Sequence, residues 1–125
     1  MAGALTISTL NNDTGVLATQ NGMTGIAKAW VNFAGAATPT INNSFNVSSI
    51  TYNTTGDYTI NFTTAMPNAN YVMCGSSQTV VGVGSLFIGA YQTSPYTTTS
   101  ARINAWSSFT GAGASPSVQV AFLSS

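Results

Sequence analysis

The chain has 125 residues, 44% of them hydrophobic, which suits one domain with a small core. Its charged side chains are Asp13, Lys28, Asp57 and Arg102, the net charge is zero, and there is no histidine. Two cations are too few to displace the counterions of a nucleic acid, and a neutral surface lacks the repulsion that keeps monomers apart. We therefore expect no nucleic-acid partner, and an obligate oligomer or a place in a larger assembly.

Residues 1–25 include a short strand-like piece at 5–10, followed by turn-forming residues and scattered apolar side chains with too little periodicity for a helix and too much glycine for a central strand. We expect an extended arm that covers a neighbouring subunit or docks on another protein, with a loosely ordered tail as the alternative. The candidate anchoring residues are Leu5, Ile7, Leu10, Val16, Leu17 and Met23. The segment shows no signal-peptide pattern, and no apolar run approaches the roughly 18 residues of a membrane span.

Residues 26–125 are predicted to form the folded domain, beginning with a strand over residues 27–33. Its odd positions carry alanine, valine and phenylalanine, whereas Lys28, Trp30 and Asn32 share the other face. A tryptophan on such a mixed face favours a subunit interface, and stacking on a sugar is the alternative.

Residues 44–53 alternate between apolar and polar side chains but change phase in the middle. Phe45 and Val47 are odd, whereas Ile50 and Tyr52 are even, so a β-bulge or bend at residues 48–49 would give all four one core face. Residues 53–57 then predict a hairpin turn, in which Asp57 accepts backbone hydrogen bonds in an Asx-turn.

Residues 56–75, GDYTINFTTAMPNANYVMCG, carry the clearest strand signal in the chain. Tyr58, Ile60 and Phe62 alternate with polar residues, which predicts a half-buried antiparallel strand. A turn at residues 65–70 follows, and the apolar run 71–74 predicts a strand buried on both faces. Cys74 is expected there as a buried hydrophobic side chain rather than a reactive thiol, because there is no histidine to activate it.

Three further strands are predicted, over residues 86–91, 97–106 and 117–123, with turns or loops between them. In the second of these, the small and apolar residues 101, 103 and 105 oppose Arg102, Asn104 and Trp106. Short strands without a helical period anywhere predict an all-β fold, an antiparallel β-sandwich of about six to eight strands.

Groups that carry catalysis or bind metals are scarce in this sequence. Acid–base and nucleophilic mechanisms need a base or a carboxylate pair, and transition-metal sites need histidine or several cysteines. We therefore expect no enzyme, no metal site and no cofactor.

Three blocks of the sequence resemble a module found at the C-terminal ends of bacteriophage tail fibres and in small phage virion proteins. They are AKAWVNF at 27–33, SFNVSSIT at 44–51 and GDYTINFTTAMPNANYVM at 56–73. The preceding LTISTLNNDTGVLATQNGMTG is similar to the segment before that module. A looser similarity, to H-type lectin domains, implies a trimeric antiparallel sandwich but brings no sugar-binding residues, since no matching polar motif is present.

The resemblance implies a homotrimeric tail-fibre-type appendage on the virion surface that contacts other virion proteins. Exposed loops would then touch a host-surface glycan or protein, and the candidate aromatic residues are Trp30, Tyr91, Tyr96 and Trp106. Core or interface packing is the alternative for each of them. A capsid decoration or cement protein anchored by residues 1–25 is the second hypothesis, because the sequence shows no fibre shaft, and a cellular lectin is the third.

Overall fold

A computed structural model describes residues 26–78, 86–91, 93, 95–107, 111–112 and 117–124. For residues 86–87, 106–107 and 111–112 it describes the backbone only. All regular structure in these residues is β, as predicted, so none of it is a helix able to cross a membrane. The strands are β1 (Ala27–Ala34), β2 (Thr40–Phe45), β3 (Val47–Thr54), β4 (Asp57–Phe62), β5 (Val72–Ser77), β6 (Leu86–Ala90), β7 (Ser100–Ser107), β8 (Gly111–Ala112) and β9 (Val118–Leu123).

The strands form two antiparallel sheets. Sheet A has the order β2-β1-β9-β5, and sheet B has the order β3-β4-β7-β6, with the two-residue β8 pairing alongside the end of β7. The chain passes from sheet A to sheet B between β2 and β3, and again between β5 and β6. Aromatic rings meet between the sheets, with centroids 5.2 Å apart both for Phe33 and Tyr58 and for Phe62 and Phe122. The fold is therefore β-sandwich-like, with one shared core.

Alternation along β1, β4, β7 and β9 supplies that core, as the sequence predicts. Their inward side chains are almost fully buried, and each large one contributes on the order of 2 kcal/mol. The buried hydrophobic residues of these strands are Ala29, Val31, Phe33, Tyr58, Ile60, Phe62, Ala101, Ile103, Ala105, Val118, Val120 and Phe122.

Asn46 forms the corner at which the chain leaves sheet A for sheet B. Its backbone is left-handed, with φ 55°, a conformation that asparagine tolerates better than most residues. Its side-chain amide nitrogen donates to the backbone oxygens of Lys28 (3.0 Å) and Thr64 (3.1 Å), and its amide oxygen accepts from the Thr64 N–H (2.7 Å). One side chain thus ties β1, the corner and the end of β4 together.

The predicted bulge at residues 48–49 is confirmed. Val47 pairs with Phe62 and Ser49 with Asn61, so Ser48 is the extra residue. Val47, Ile50 and Tyr52 then pack against the core, but Phe45 does not, because it precedes the corner and belongs to sheet A, where it is 54% exposed. The expectation of a core position for Phe45 is therefore wrong.

The expectation that residues 71–74 form a strand buried on both faces is also wrong. Among the described strands β5 pairs only with β9, at the edge of sheet A, Val72 is 66% exposed, and Cys74 is exposed. Only Tyr71, which precedes β5, is buried in this run, and burial raises its pKa to about 12. An apolar run fits an uncovered edge strand as well as a central one, and the sequence pattern alone does not separate them.

Candidate functional site

The outer face of sheet A carries a line of apolar side chains that crosses all four strands. Phe45 of β2 pairs with Trp30 of β1, Trp30 pairs with Ala121 of β9, and Ala121 pairs with Cys74 of β5. Buried residues flank Trp30 and Ala121 on both sides, so their side chains point outward, and the paired residues Phe45 and Cys74 share that face. We call Phe45, Trp30, Ala121 and Cys74 the apolar row.

Further apolar residues extend this face toward the start of β1. Val72 pairs with Leu123 next to the row, and Ile26, immediately before β1, is 48% exposed. Among the side chains that the structure describes, Ile26, Phe45 and Val72 are the exposed large hydrophobic ones, and all three belong to or adjoin sheet A.

Polar side chains line the other flank of the row. Asn32 pairs with Asn43 and Gln119, and Gln119 pairs with Ser76. The side chains are linked by hydrogen bonds: Ser76 Oγ donates to Gln119 Oε1 (3.1 Å), Gln119 Nε2 donates to Ser117 Oγ (2.5 Å), and Ser117 Oγ donates to Asn32 Oδ1 (3.2 Å). We call Asn43, Asn32, Gln119 and Ser76 the polar row.

A shallow depression of about 460 Å³ lies between the two rows, over β1, β9 and β5. Its lining includes Trp30, Cys74, Gln119 and Gly75. A Cβ at Gly75 would lie 2.6 Å from the Gln119 carbonyl oxygen, so a glycine is needed for β5 to approach β9 this closely. The surface offers an indole ring, amides and hydroxyls, which bind by packing and hydrogen bonding.

The three candidate aromatic residues whose side chains the structure describes, Trp30, Tyr91 and Tyr96, are not brought together. Trp30 is half-buried in the depression. Tyr91 lies elsewhere, with the Arg102 Cζ atom 3.7 Å from the centroid of its phenol ring. Tyr96 packs against the core, with its ring centroid 4.8 Å from that of Tyr71. Trp106 belongs to β7, and its side chain lies outside the description.

Asp57 is not the acceptor of an Asx-turn, so that expectation is wrong. The hairpin turn itself is as predicted, with Gly56 at φ 73°, but Asp57 opens β4 and is only 4% exposed. Arg102 holds it through two bonds, Nε to Oδ1 (2.9 Å) and Nη2 to Oδ2 (2.6 Å), and Asn53 Nδ2 donates to Oδ1 (3.0 Å). The hydrogen bonds from Arg102 lower the pKa of Asp57 despite its burial.

This ion pair was missed by reasoning from the sequence, which considered each charge alone. The usable signal was that Arg102 and Asp57 each sit on the polar phase of a predicted strand, in a chain with four charged side chains. The pair lies on the outer face of sheet B, where Thr59 pairs with Arg102, and thus away from the apolar row. Its contacts fix β4 to β7 and to Tyr91, which is a structural role.

The proposed anchoring residues Leu5, Ile7, Leu10, Val16, Leu17 and Met23, like the whole of residues 1–25, lie outside the described residues. Within the described part of the chain, no group of three or more histidine, cysteine, aspartate or glutamate side chains could hold a metal ion. The chain matches no family model, no curated protein and no solved structure among those with which it was compared.

Proposed function

We propose that the chain is a structural protein of a bacteriophage virion, a homotrimeric tail-fibre-type appendage on its surface. The resemblance of the blocks at 27–33, 44–51 and 56–73 to phage fibre modules supports the virion setting. The observation that carries a structural role is the apolar row, which crosses a whole sheet on its outer face, half-buried at Trp30 in the middle and exposed at Phe45 and Cys74 at its ends. Exposed apolar surface of this kind marks a place where another molecule covers the protein.

The neutral composition supports the same role. A free monomer without net charge has little to keep it from associating, whereas a subunit fixed in an assembly gains from neutral contacts. The hydrogen-bonded side chains around the row also hold its edge in a defined shape. A rigid, uncharged and partly apolar face suits packing between virion proteins.

Contact with a host-surface glycan is a second role, favoured by the depression beside Trp30. Sugar rings stack on indole rings and take hydrogen bonds from amides such as that of Gln119. Binding of the purified protein to a glycan array, abolished by Trp30→Ala, would support this role. Loss of phage adsorption when the purified protein is added to host cells would tie it to infection.

Locating the protein in virions tests the main proposal. Purified particles of the phage that encodes the chain are probed with gold-labelled antibody and viewed by electron microscopy. We expect label on the tail. Label spread over the capsid would indicate a capsid decoration protein instead of a tail appendage. Particles without the protein would overturn the virion assignment altogether.

A further inference from the structure

We infer that the outer face of sheet A is the surface through which copies of this chain contact one another. The inference rests on the proposed assembly, and it gives that assembly a specific interface. The apolar row runs from the edge strand β2 to the edge strand β5, so the surface reaches both margins of the sheet. A neighbour can therefore cover it from the side as well as from above.

The charge on this face favours a second copy as the partner. Any charge on a surface shared by identical chains brings like charges near one another, at a cost in free energy. The described acidic side chain, Asp57, and its partner Arg102 lie on sheet B, and both rows of sheet A are uncharged. Lys28, which is in β1 two residues before Trp30, lies outside both rows, where the pairing of β1 with β9 is irregular between Ala27 and Ala29.

The polar row is also suited to meeting its own copy. Asparagine and glutamine amides carry donors and acceptors together, so one amide can pair with an identical amide. Asn32 and Gln119 are both half-buried on this face and already oriented by Ser117. A partner of different chemistry, such as an acidic or basic protein, would find no complementary charge in either row.

The size of the face indicates how copies are arranged. Four strands about 4.8 Å apart, with about six residues each, give a flat area of roughly 400 Å². A stable interface uses about 800 Å² from each partner, so a two-fold dimer through this face alone would be weak. In a ring of three copies each subunit makes two contacts, and residues near the three-fold axis meet their own copies, which the uncharged rows and the self-pairing amides suit.

Cys74 provides a natural probe of this interface. It is the one cysteine of the chain, it is exposed in the isolated subunit, and it forms the end of the apolar row. If copies cover the face, a thiol reagent should modify Cys74 about tenfold or more slowly in the assembled protein than in dissociated subunits. The rate should rise as the protein is diluted from about 100 µM toward 1 µM.

The test compares matched charge insertions on the two outer faces of the full-length protein. Trp30→Asp places a carboxylate in the apolar row, and Thr51→Asp places one at an exposed position of β3 in sheet B. Phe45→Asp, at a position 54% exposed, repeats the first change where folding depends little on the side chain. Molar mass is measured by light scattering, folding by circular dichroism, and Cys74 modification by the thiol assay.

We expect trimers with a protected Cys74 for the unmodified protein and for Thr51→Asp. Folded Trp30→Asp or Phe45→Asp protein should be monomeric, with Cys74 reacting at the rate of a free thiol. Trimers that persist in both sheet A variants, or a reactive Cys74 in the unmodified trimer, would overturn the inference and leave the virion role standing. A monomeric unmodified protein would overturn it too. Absence of the protein from virions would overturn the proposed function but not the interface, since the thiol assay uses the purified protein.

Discussion

The two outer faces of the sandwich differ although they are built on the same alternation. On sheet A, the outward residues of neighbouring strands bring Phe45, Trp30 and Cys74 into one line. On sheet B, Asn61 Nδ2 donates to Ser49 Oγ (3.0 Å) and Thr51 Oγ1 (3.1 Å).

Polar side chains on the outer face of sheet B also form hydrogen bonds with one another. Asn53 Nδ2 donates to both Thr59 Oγ1 (2.9 Å) and Asp57 Oδ1 (3.0 Å), and Arg102 completes the cluster. In a chain without glutamate and with one lysine, amides and hydroxyls thus take over the solvated face. The outer face of sheet B is therefore polar and bonded to itself, whereas the outer face of sheet A is the one for which we propose a covering neighbour.

Substitution of the corner between the faces should have the largest effect. Asn46→Ala removes three side-chain hydrogen bonds and leaves alanine at φ 55°. At about 1 kcal/mol for each bond, and with added backbone strain, we expect a loss of about 3–4 kcal/mol in the free energy of unfolding. Urea denaturation at neutral pH measures it.

Asn46→Gly is the matched control, because glycine accepts the left-handed backbone but makes none of these bonds. It should lose about 1 kcal/mol less than the alanine variant. Equal losses would show that the backbone conformation costs nothing, and unchanged stability in both variants would show that the corner does not hold the sheets together.

Glycines on two edge strands, β5 of sheet A and β6 of sheet B, offer the next comparison. Gly75 of β5 would place a Cβ 2.6 Å from the Gln119 carbonyl oxygen, whereas Gly89 of β6 has nothing within 4 Å of that position. Gly75→Ala should push β5 away from β9 and lower the free energy of unfolding by about 2 kcal/mol. Gly89→Ala should be neutral or stabilising by about 0.5 kcal/mol. Thermal unfolding of both variants measures the difference, and a neutral Gly75→Ala would mean that β5 shifts without cost.

Alternation in the sequence predicts the core well, because β1, β4, β7 and β9 each face the core on one side only. It fails where the outcome depends on neighbours distant in sequence. The apolar run 71–74 ends up at a sheet edge because β5 pairs with β9 alone. Phe45 lies outside the core because the chain crosses from sheet A to sheet B at Asn46, one residue after it. The change of phase in residues 44–53 shows that the strand is interrupted, but not that Phe45 and Val47 belong to different sheets.

The candidate site shows the same division. The alternation in residues 27–33 places Trp30 and Asn32 on the face opposite the core, and both line the depression. Gln119, Ser76 and Cys74 lie beside them because β9 pairs with β1, about 90 positions away in the chain, and with β5, about 45 positions away. No local pattern records such a juxtaposition.

The smallest expected effect concerns the one ion pair on sheet B. Asp57→Asn keeps the shape of the side chain but removes the charge that Arg102 holds at 2.6 Å. Because the guanidinium is 38% exposed, water screens the pair, and we expect a loss of about 1 kcal/mol at pH 7.

The dependence of this loss on pH distinguishes a charge effect from a packing effect. Arg102 lowers the pKa of Asp57 in the folded protein below the ordinary value of 3.8. The stabilisation is therefore fully present above about pH 4 and disappears as the pH falls through the folded-state pKa. Urea unfolding of the two proteins from pH 2 to 7 should give curves that meet at the acid end, and a gap that stays constant with pH would assign the loss to packing instead.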